Sequence, residues 1–315
     1  MATQCFTPVL GERIRLTRVD GCGRPIYGAG AQAVSDGFIT VKYTAEIGEG
    51  EEIEQTNAQG QRCVYLKIPD YIKYIGVEIE FCRVDPGLIG LINPANALEL
   101  DGKGDVVGWR ESVKPSDRAG FALEVWTGLQ GANICDDPNA TSAHGYILTP
   151  WLTSGIMGDL EVGASSVNFT FKGNAQAGSK WGIGPHKVVP GADGVTPSPL
   201  LAPIGPDEVR LIRHTSIAPP NPQCGTFDLP APGGATLTAT VDPADPMKYT
   251  FAWAGTAADD TPVLFDFGDG QKGTGTVAAN KASVEHTYAT AGSKTATATV
   301  EGLTVAVTAN PFPQS

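Results

Sequence analysis

Apolar residues recur at every second position through much of this chain. In Ile39-Thr-Val41-Lys-Tyr43-Thr-Ala45 the odd positions are apolar or aromatic and the even ones polar, the period of a half-buried strand. Val77, Ile79 and Phe81 alternate with Glu78 and Glu80. Phe121, Leu123 and Val125 alternate with Ala122 and Glu124, and Val167, Phe169 and Phe171 with Asn168, Thr170 and Lys172. Each run is bounded by turns carrying Gly, Asp or Pro. Near the C-terminal end the pattern predicts strands over 236–241, 248–253, 262–267, 284–288, 294–301 and 303–309. In the fifth of these the threonines share one face, and Ala296, Ala298 and Val300 the other. Phe265, Phe267, Trp253 and Tyr288 must then supply most of the buried aromatic area there.

One segment breaks the period. Asp85 suits a helix cap, and Pro86 suits the first helical position because its missing N–H would have had no partner there. Leu88, Ile89, Leu91 and Ile92 form an apolar stripe, and Asn93-Pro94 ends it. The pattern predicts a mainly β protein: an N-terminal β-sandwich or barrel with one flanking helix, followed by a C-terminal β-sandwich.

The division rests on composition. No arginine follows Arg213 and no cysteine follows Cys224. Between the two regimes runs Ile217-Ala-Pro-Pro-Asn-Pro-Gln-Cys-Gly225, then Pro230-Ala-Pro-Gly-Gly234. Prolines lack a donor and cannot join a central strand. The reading is a first domain over 1–224, a Pro/Gly-rich linker over 225–234 and a second domain over 235–315. A further Pro/Gly-rich stretch, 184–206, reads as a surface excursion of the first domain. Gly 39 and Pro 24 without a period indicate many turns.

Net charge is −12, which disfavours phosphate binding, since that depends on Lys and Arg displacing counterions. No apolar run approaches the ~18 residues of a membrane span, so no membrane insertion is expected. Met1-Ala-Thr-Gln-Cys5 has neither a basic n-region nor an apolar h-region. Synthesis in a cytoplasm is the expectation, with the cysteines at 5, 22, 63, 82, 135 and 224 as free thiols. On the same ground Asn139-Ala-Thr141 and Asn168-Phe-Thr170 are chance matches to a glycosylation acceptor.

Chemistry-bearing motifs are few. Asp266 and Asp269 flank Gly268, with Asp259 and Asp260 nearby, and admit a calcium site. The preferred reading is a turn whose Asp side chains accept from neighbouring N–H groups while Gly268 and Gly270 take positive φ. Gly173-Asn-Ala-Gln-Ala-Gly-Ser-Lys180 fails as a phosphate loop, because Ser and Lys are reversed and Trp181-Gly-Ile-Gly-Pro185 cannot open the required helix. The histidines at 144, 186, 214 and 286 are scattered, and no nucleophile motif is present. Neither catalytic residues nor a cofactor nor a metal is expected.

Glu46, Glu49, Glu51, Glu52 and Glu54, with Ile47 and Ile53, lie between two strands on what reads as an extended hairpin. It is either a solvated loop or an arm that orders on a neighbouring subunit, since exposed strand edges invite pairing.

The run Leu264-Phe265-Asp266-Phe267-Gly268-Asp269-Gly270, then His286-Thr287-Tyr288 and a Gly292-led alternating strand, resembles the PKD (polycystic kidney disease) domain over about 229–311. That resemblance implies an immunoglobulin-like sandwich. Phe265 stands where Trp is usual, and Lys294, Ala296 and Ala298 where larger side chains are. Such domains serve adhesion, carbohydrate association and spacing alike.

The first segment is similar to the major tail (tail tube) protein of long-tailed bacteriophages infecting actinobacteria. The residues concerned are Arg18-Val-Asp-Gly-Cys-Gly-Arg-Pro25, Ser35-Asp-Gly-Phe-Ile-Thr-Val41, Phe81-Cys-Arg-Val-Asp-Pro86, Phe169-Thr-Phe-Lys-Gly173, Trp181-Gly-Ile-Gly-Pro185 and Thr215-Ser-Ile-Ala-Pro-Pro220. The resemblance implies hexameric rings of this chain stacked into a tube, with other tail proteins as partners and DNA passing through the lumen without specific binding. It also implies a virion location and an exterior C-terminal domain, whose partner would be a host cell-surface glycan or protein. The Glu-rich hairpin then either joins rings or lines the lumen. The rival expectation is a bacterial surface or adhesion protein that uses the PKD-type module for binding.

Overall fold

The computed structural model describes residues 8–103, 106–113, 120–129, 144–161 and 167–312. Cys5, Cys135 and the 139–141 acceptor pattern lie outside them. The N-terminal part contains β1 (Pro8–Val19), β2 (Ile26–Ser35), β3 (Phe38–Gly48), β4 (Glu52–Thr56), β5 (Arg62–Lys67), β6 (Tyr71–Phe81), α1 (Pro86–Ile92), β7 (Ala97–Leu100), β8 (Val106–Arg110), β9 (Gly120–Leu129), β10 (His144–Glu161), β11 (Asn168–Ala175), β12 (Val189–Pro190), β13 (Pro197–Ser198) and β14 (Leu211–Thr215). The C-terminal part contains β15 (Phe227–Leu229), a 3₁₀ turn, β16 (Thr236–Asp242), β17 (Asp245–Ala254), β18 (Pro262–Asp266), β19 (Lys272–Thr276), β20 (Lys281–Thr287), β21 (Lys294–Val300) and β22 (Leu303–Ala309). The protein is mainly β, with a single α-helix among the described residues.

The principal sheet of the N-terminal part runs β2-β1-β9-β10-β11-β6-β3, and β14 also pairs with β10. Register shifts interrupt β10 between Thr149 and Leu152, Thr153 and Ile156, and Met157 and Leu160. Bulges of this kind bend a strand and increase its twist. Val77, Ile79 and Phe81 of β6 therefore share one core with Leu123 and Val125 of β9, from which two strands separate them in the sheet, and with Ile14 and Leu16 of β1, from which three do. The sheet curls around α1, which fills the concave side with Leu88, Ile89, Leu91 and Ile92. The helix begins as its sequence dictates: the Asp85 side chain accepts from Gly87 N–H at 2.8 Å, and Pro86 follows.

The opposite face of the sheet is also covered. Trp181, Val188, Val189 and Leu200 are buried against Val19, Ala122, Trp126, Tyr146 and Leu148. The 184–206 stretch is thus more than a surface excursion: 192–197 and 201–203 are exposed, while Val188, Val189 and Leu200 cover the sheet. Its prolines and glycines let it fold onto itself, with Leu200 N–H donating to Ile183 O and Ile204 N–H to Gly182 O. This cover is why β9 is buried on both faces.

The C-terminal sandwich packs β16-β17-β20 against β19-β18-β21-β22. Its core holds Phe251, Trp253, Phe265, Phe267, Tyr288, Ala296, Ala298 and Val300. β19 has no counterpart in the expected strands: Lys-Gly-Thr-Gly-Thr has no apolar alternation, and it is a strand because Leu264↔Thr274 and its neighbours pair it with β18.

The 225–234 linker is not a free spacer. β15 lies inside it and pairs with β2 at Phe227↔Gln32 and Leu229↔Gly28. β22 pairs in parallel with β2 through Ile26↔Thr304, Tyr27↔Val305 and Gly28↔Ala306. Gly28 makes this approach possible: at φ 97°, a Cβ there would sit 2.3 Å from Ala306 O. The two parts share one continuous sheet of 13 strands.

Candidate assembly surface and buried polar centre

β3 ends the principal sheet, and along its 11 residues it pairs only with β6 among the described strands. Val41 and Tyr43 turn toward the core. Ile39 is 46% exposed, because the register shift between Phe38 and Thr40 rotates it out of the alternation. The free N–H and C=O groups of such an edge can accept a further strand.

Beyond Gly48↔Tyr71 the β3–β6 ribbon bends into the β4–β5 hairpin. Gly50 sits at the bend, where a Cβ would lie 1.7 Å from Ile68 O. The tip is a turn held by the Asn57 side chain, which accepts from the N–H groups of Gln59 and Gln61. Every residue of β4 and β5 is exposed. The Glu-rich run therefore belongs to a projecting ribbon, with Glu52, Ile53 and Glu54 on its outgoing strand, Glu49 and Glu51 at its base, and Glu46 on β3 opposite Tyr74.

The register sorts the ribbon into two unlike faces, because directly opposed residues point the same way. Ile53 opposes Leu66 and Gln55 opposes Val64, and Ile68 follows on the same side. Ile53, Val64, Leu66 and Ile68 are 42%, 46%, 54% and 43% exposed. On the other face Glu52 opposes Lys67 and Glu54 opposes Tyr65. Arg62 reaches Glu54 at 2.8 Å and stacks over Tyr65 at 4.5 Å. A lone two-stranded ribbon is marginal in water, and among the described residues nothing covers the apolar face of this one.

The buried centre between the sheet and its cover was not visible in the alternation. Glu124 reads as a solvent-facing residue of a half-buried strand, yet it is fully buried. Arg15 donates to both its oxygens, Nε to Oε2 at 2.6 Å and an Nη to Oε1 at 2.7 Å, and Tyr146 Oη donates to Oε1 at 2.6 Å. Burial alone would raise the Glu124 pKa. The Arg15 cation overcomes that and holds the carboxylate below its ordinary range. Burial, then Glu124, pushes the Tyr146 hydroxyl well up.

His186, on the cover, places Nε2 2.8 Å from Thr17 Oγ1. Burial, then repulsion from Arg15, pushes its pKa down to about 3. The ring is neutral at neutral pH, so its 3.7 Å approach to Glu124 is not an ion pair. The carboxylate is satisfied by Arg15 and Tyr146, and the cluster's work is to tie β1, β9, β10 and the cover together. The sequence signal is Phe121-Ala-Leu-Glu-Val-Trp126: one charge inside an otherwise unbroken apolar run, as in strands buried on both faces.

The Asp266–Gly270 turn is occupied by its own hydrogen bonds. Asp266 accepts from Gly268 N–H at 3.1 Å and Asp269 from Gln271 N–H at 3.0 Å. Gly268 and Gly270 have φ 75° and 90°. The other Asp269 oxygen lies 2.8 Å from His286 Nε2, and the His286 ring stacks on Phe267 at 4.0 Å. Tyr288 Oη donates to Phe267 O at 2.9 Å, and Thr287 closes the strand opposite Lys248. Asp259 is engaged elsewhere, accepting from Ala279 N–H. Among the described residues no group of three His, Cys, Asp or Glu could hold a metal ion, and no helix is long and apolar enough to cross a membrane.

Neither a protein-family model nor a curated protein matches the chain.

Proposed function

We propose that this chain is a structural building block that works by self-association: the tail tube subunit of a long-tailed bacteriophage, forming rings that stack into a conduit for DNA, with its C-terminal PKD-like domain on the outside. The observation that carries the reading is the β4–β5 ribbon. Four large apolar residues share one face of a projecting arm, and none of the described residues covers them. A water-soluble subunit keeps such a face when another subunit receives it. The open β3 edge supports the same reading, since sheets extend between subunits by backbone pairing. The acidic balance suits a conduit that must not retain phosphates.

On the charged face of the arm, Lys67 and Arg62 answer Glu52 and Glu54, which favours a role in joining rings over lining the lumen. The test is excision of 49–70 with an Asn-Gly turn joining Gly48 to Tyr71, a register pair that already faces correctly. Negative-stain microscopy of the unmodified chain is expected to show rings and tubes, and of the excised chain no tubes. Normal tubes without the arm overturn its role, and isolated particles at every concentration of the unmodified chain overturn the function.

A further inference from the structure

The arm leaves the principal sheet at one end, and the other end carries a second exposed apolar patch. β6 runs from Tyr71, beside the arm, to Phe81, which Phe169 of β11 opposes. Those two ends lie about 33 Å apart along the strand. At the far end the core comes to the surface, where Phe169 and Trp109 are only partly buried. Leu160 of β10 opposes Phe169 and is 50% exposed. The β7–β8 hairpin, which pairs with no other described strand, sets Trp109 edge-on against Phe169 at 6.1 Å. Val107, two residues before Trp109, is 61% exposed.

We infer that this patch is the seat for a second copy's arm: the apolar face of the β4–β5 ribbon lies on Leu160, Phe169, Trp109 and Val107 of the next subunit. This rests on the assembly reading above and names the partner of the arm. A contact between two unlike patches runs on from copy to copy instead of ending at a pair. Arm and seat stand at opposite ends of the same strands, so each subunit gives an arm at one end and receives one at the other.

Size and charge suit this occupant. The four exposed apolar side chains of the arm amount to roughly a few hundred Å², against roughly 800 Å² a side in a stable pair. One seat is therefore too small to hold two free chains. Seats hold when several act together, as between two rings, so stacking follows ring formation. At the edge of the patch the Glu111 carboxylate accepts from the Trp109 indole N–H at 3.4 Å. On the arm Lys67 stands between Leu66 and Ile68 and brings a cation toward that carboxylate, a rim pair of the kind that fixes register.

Complementation between full-length variants tests this. Leu160→Asp/Val107→Asp keeps the arm and spoils the seat, whereas Ile53→Ser/Leu66→Ser keeps the seat and spoils the arm. Each alone is expected to stop at single rings, even at about ten times the concentration at which the unmodified chain makes tubes. Rings of the two variants, assembled separately and then mixed, are expected to join in twos and grow no further under negative stain. A second measurement does not depend on how well the Asp variant folds. With Leu66 replaced by a photoreactive phenylalanine, irradiated tubes are expected to show it joined by mass spectrometry to peptides around 107–109 or 160–169 of another chain. Normal tubes from Leu160→Asp/Val107→Asp, or attachment of residue 66 elsewhere, overturn the seat and leave the assembly reading standing. No rings or tubes from the unmodified chain at any concentration overturn both.

Discussion

Arg15 on β1 grips Glu124 on β9 through both carboxylate oxygens, at 2.6 and 2.7 Å, inside a layer closed by the 184–206 cover. Breaking a buried pair by removing one partner leaves the other charge without compensation, at a cost of roughly 3–5 kcal/mol. Glu124→Ala is therefore expected to lower stability to urea by about that amount. Arg15→Met/Glu124→Leu, which removes both charges, is expected to recover most of it.

His186 makes the same layer sensitive to acid. Its folded pKa of about 3 lies below the ordinary 6.5, so below pH 6.5 the unfolded chain binds a proton that the folded one refuses. Stability must fall as pH drops from 6.5 toward 3, by roughly 4 kcal/mol over that window. Glu124 adds to the loss lower down: its depressed folded pKa gives stability that is present above the ordinary carboxylate range and lost below it. His186→Gln keeps a partner for Thr17 and removes the titration. Urea melts at pH 7 and pH 4.5 are expected to differ much less for this variant than for the parent.

Ile53 and Leu66 are exposed in the single chain, and exposed substitutions away from special features change stability by about 0.5 kcal/mol or less. Ile53→Ser/Leu66→Ser is expected to leave the thermal midpoint in place while abolishing tubes under the microscope. A large fall in the midpoint would mean that the ribbon is packed within its own chain.

In the Asp266–Gly270 turn, Asp266 and Asp269 are engaged by Gly268, Gln271 and His286. Millimolar calcium, or its removal by a chelator, is expected to leave the melting temperature unchanged. Asp269→Ala, which loses two hydrogen bonds at once, is expected to destabilise the C-terminal sandwich by about 1–3 kcal/mol.

The parts of this architecture legible in the sequence are those specified locally. Asp85-Pro86 caps its helix, Val77, Ile79 and Phe81 of β6 and Ala296, Ala298 and Val300 of β21 turn inward, and the Phe265–Gly270 turn takes the form its glycines require. Structure that depends on a pairing or packing partner was not legible. β19 exists because β18 pairs with it. Glu124 is buried because a Pro/Gly-rich stretch some 60 residues later folds over it. Gly28-Ala-Gly30 carries no alternation, and its role follows from the β22 backbone that approaches it.

The pairing of Ile26 with Thr304 also sets an order of events at the ribosome. About 280 residues separate the two, so at typical rates of synthesis β2 waits roughly a quarter of a minute to a minute for its cover. Until β22 has been made, 26–28 lack this partner, and the sheet that joins the two parts can close only then.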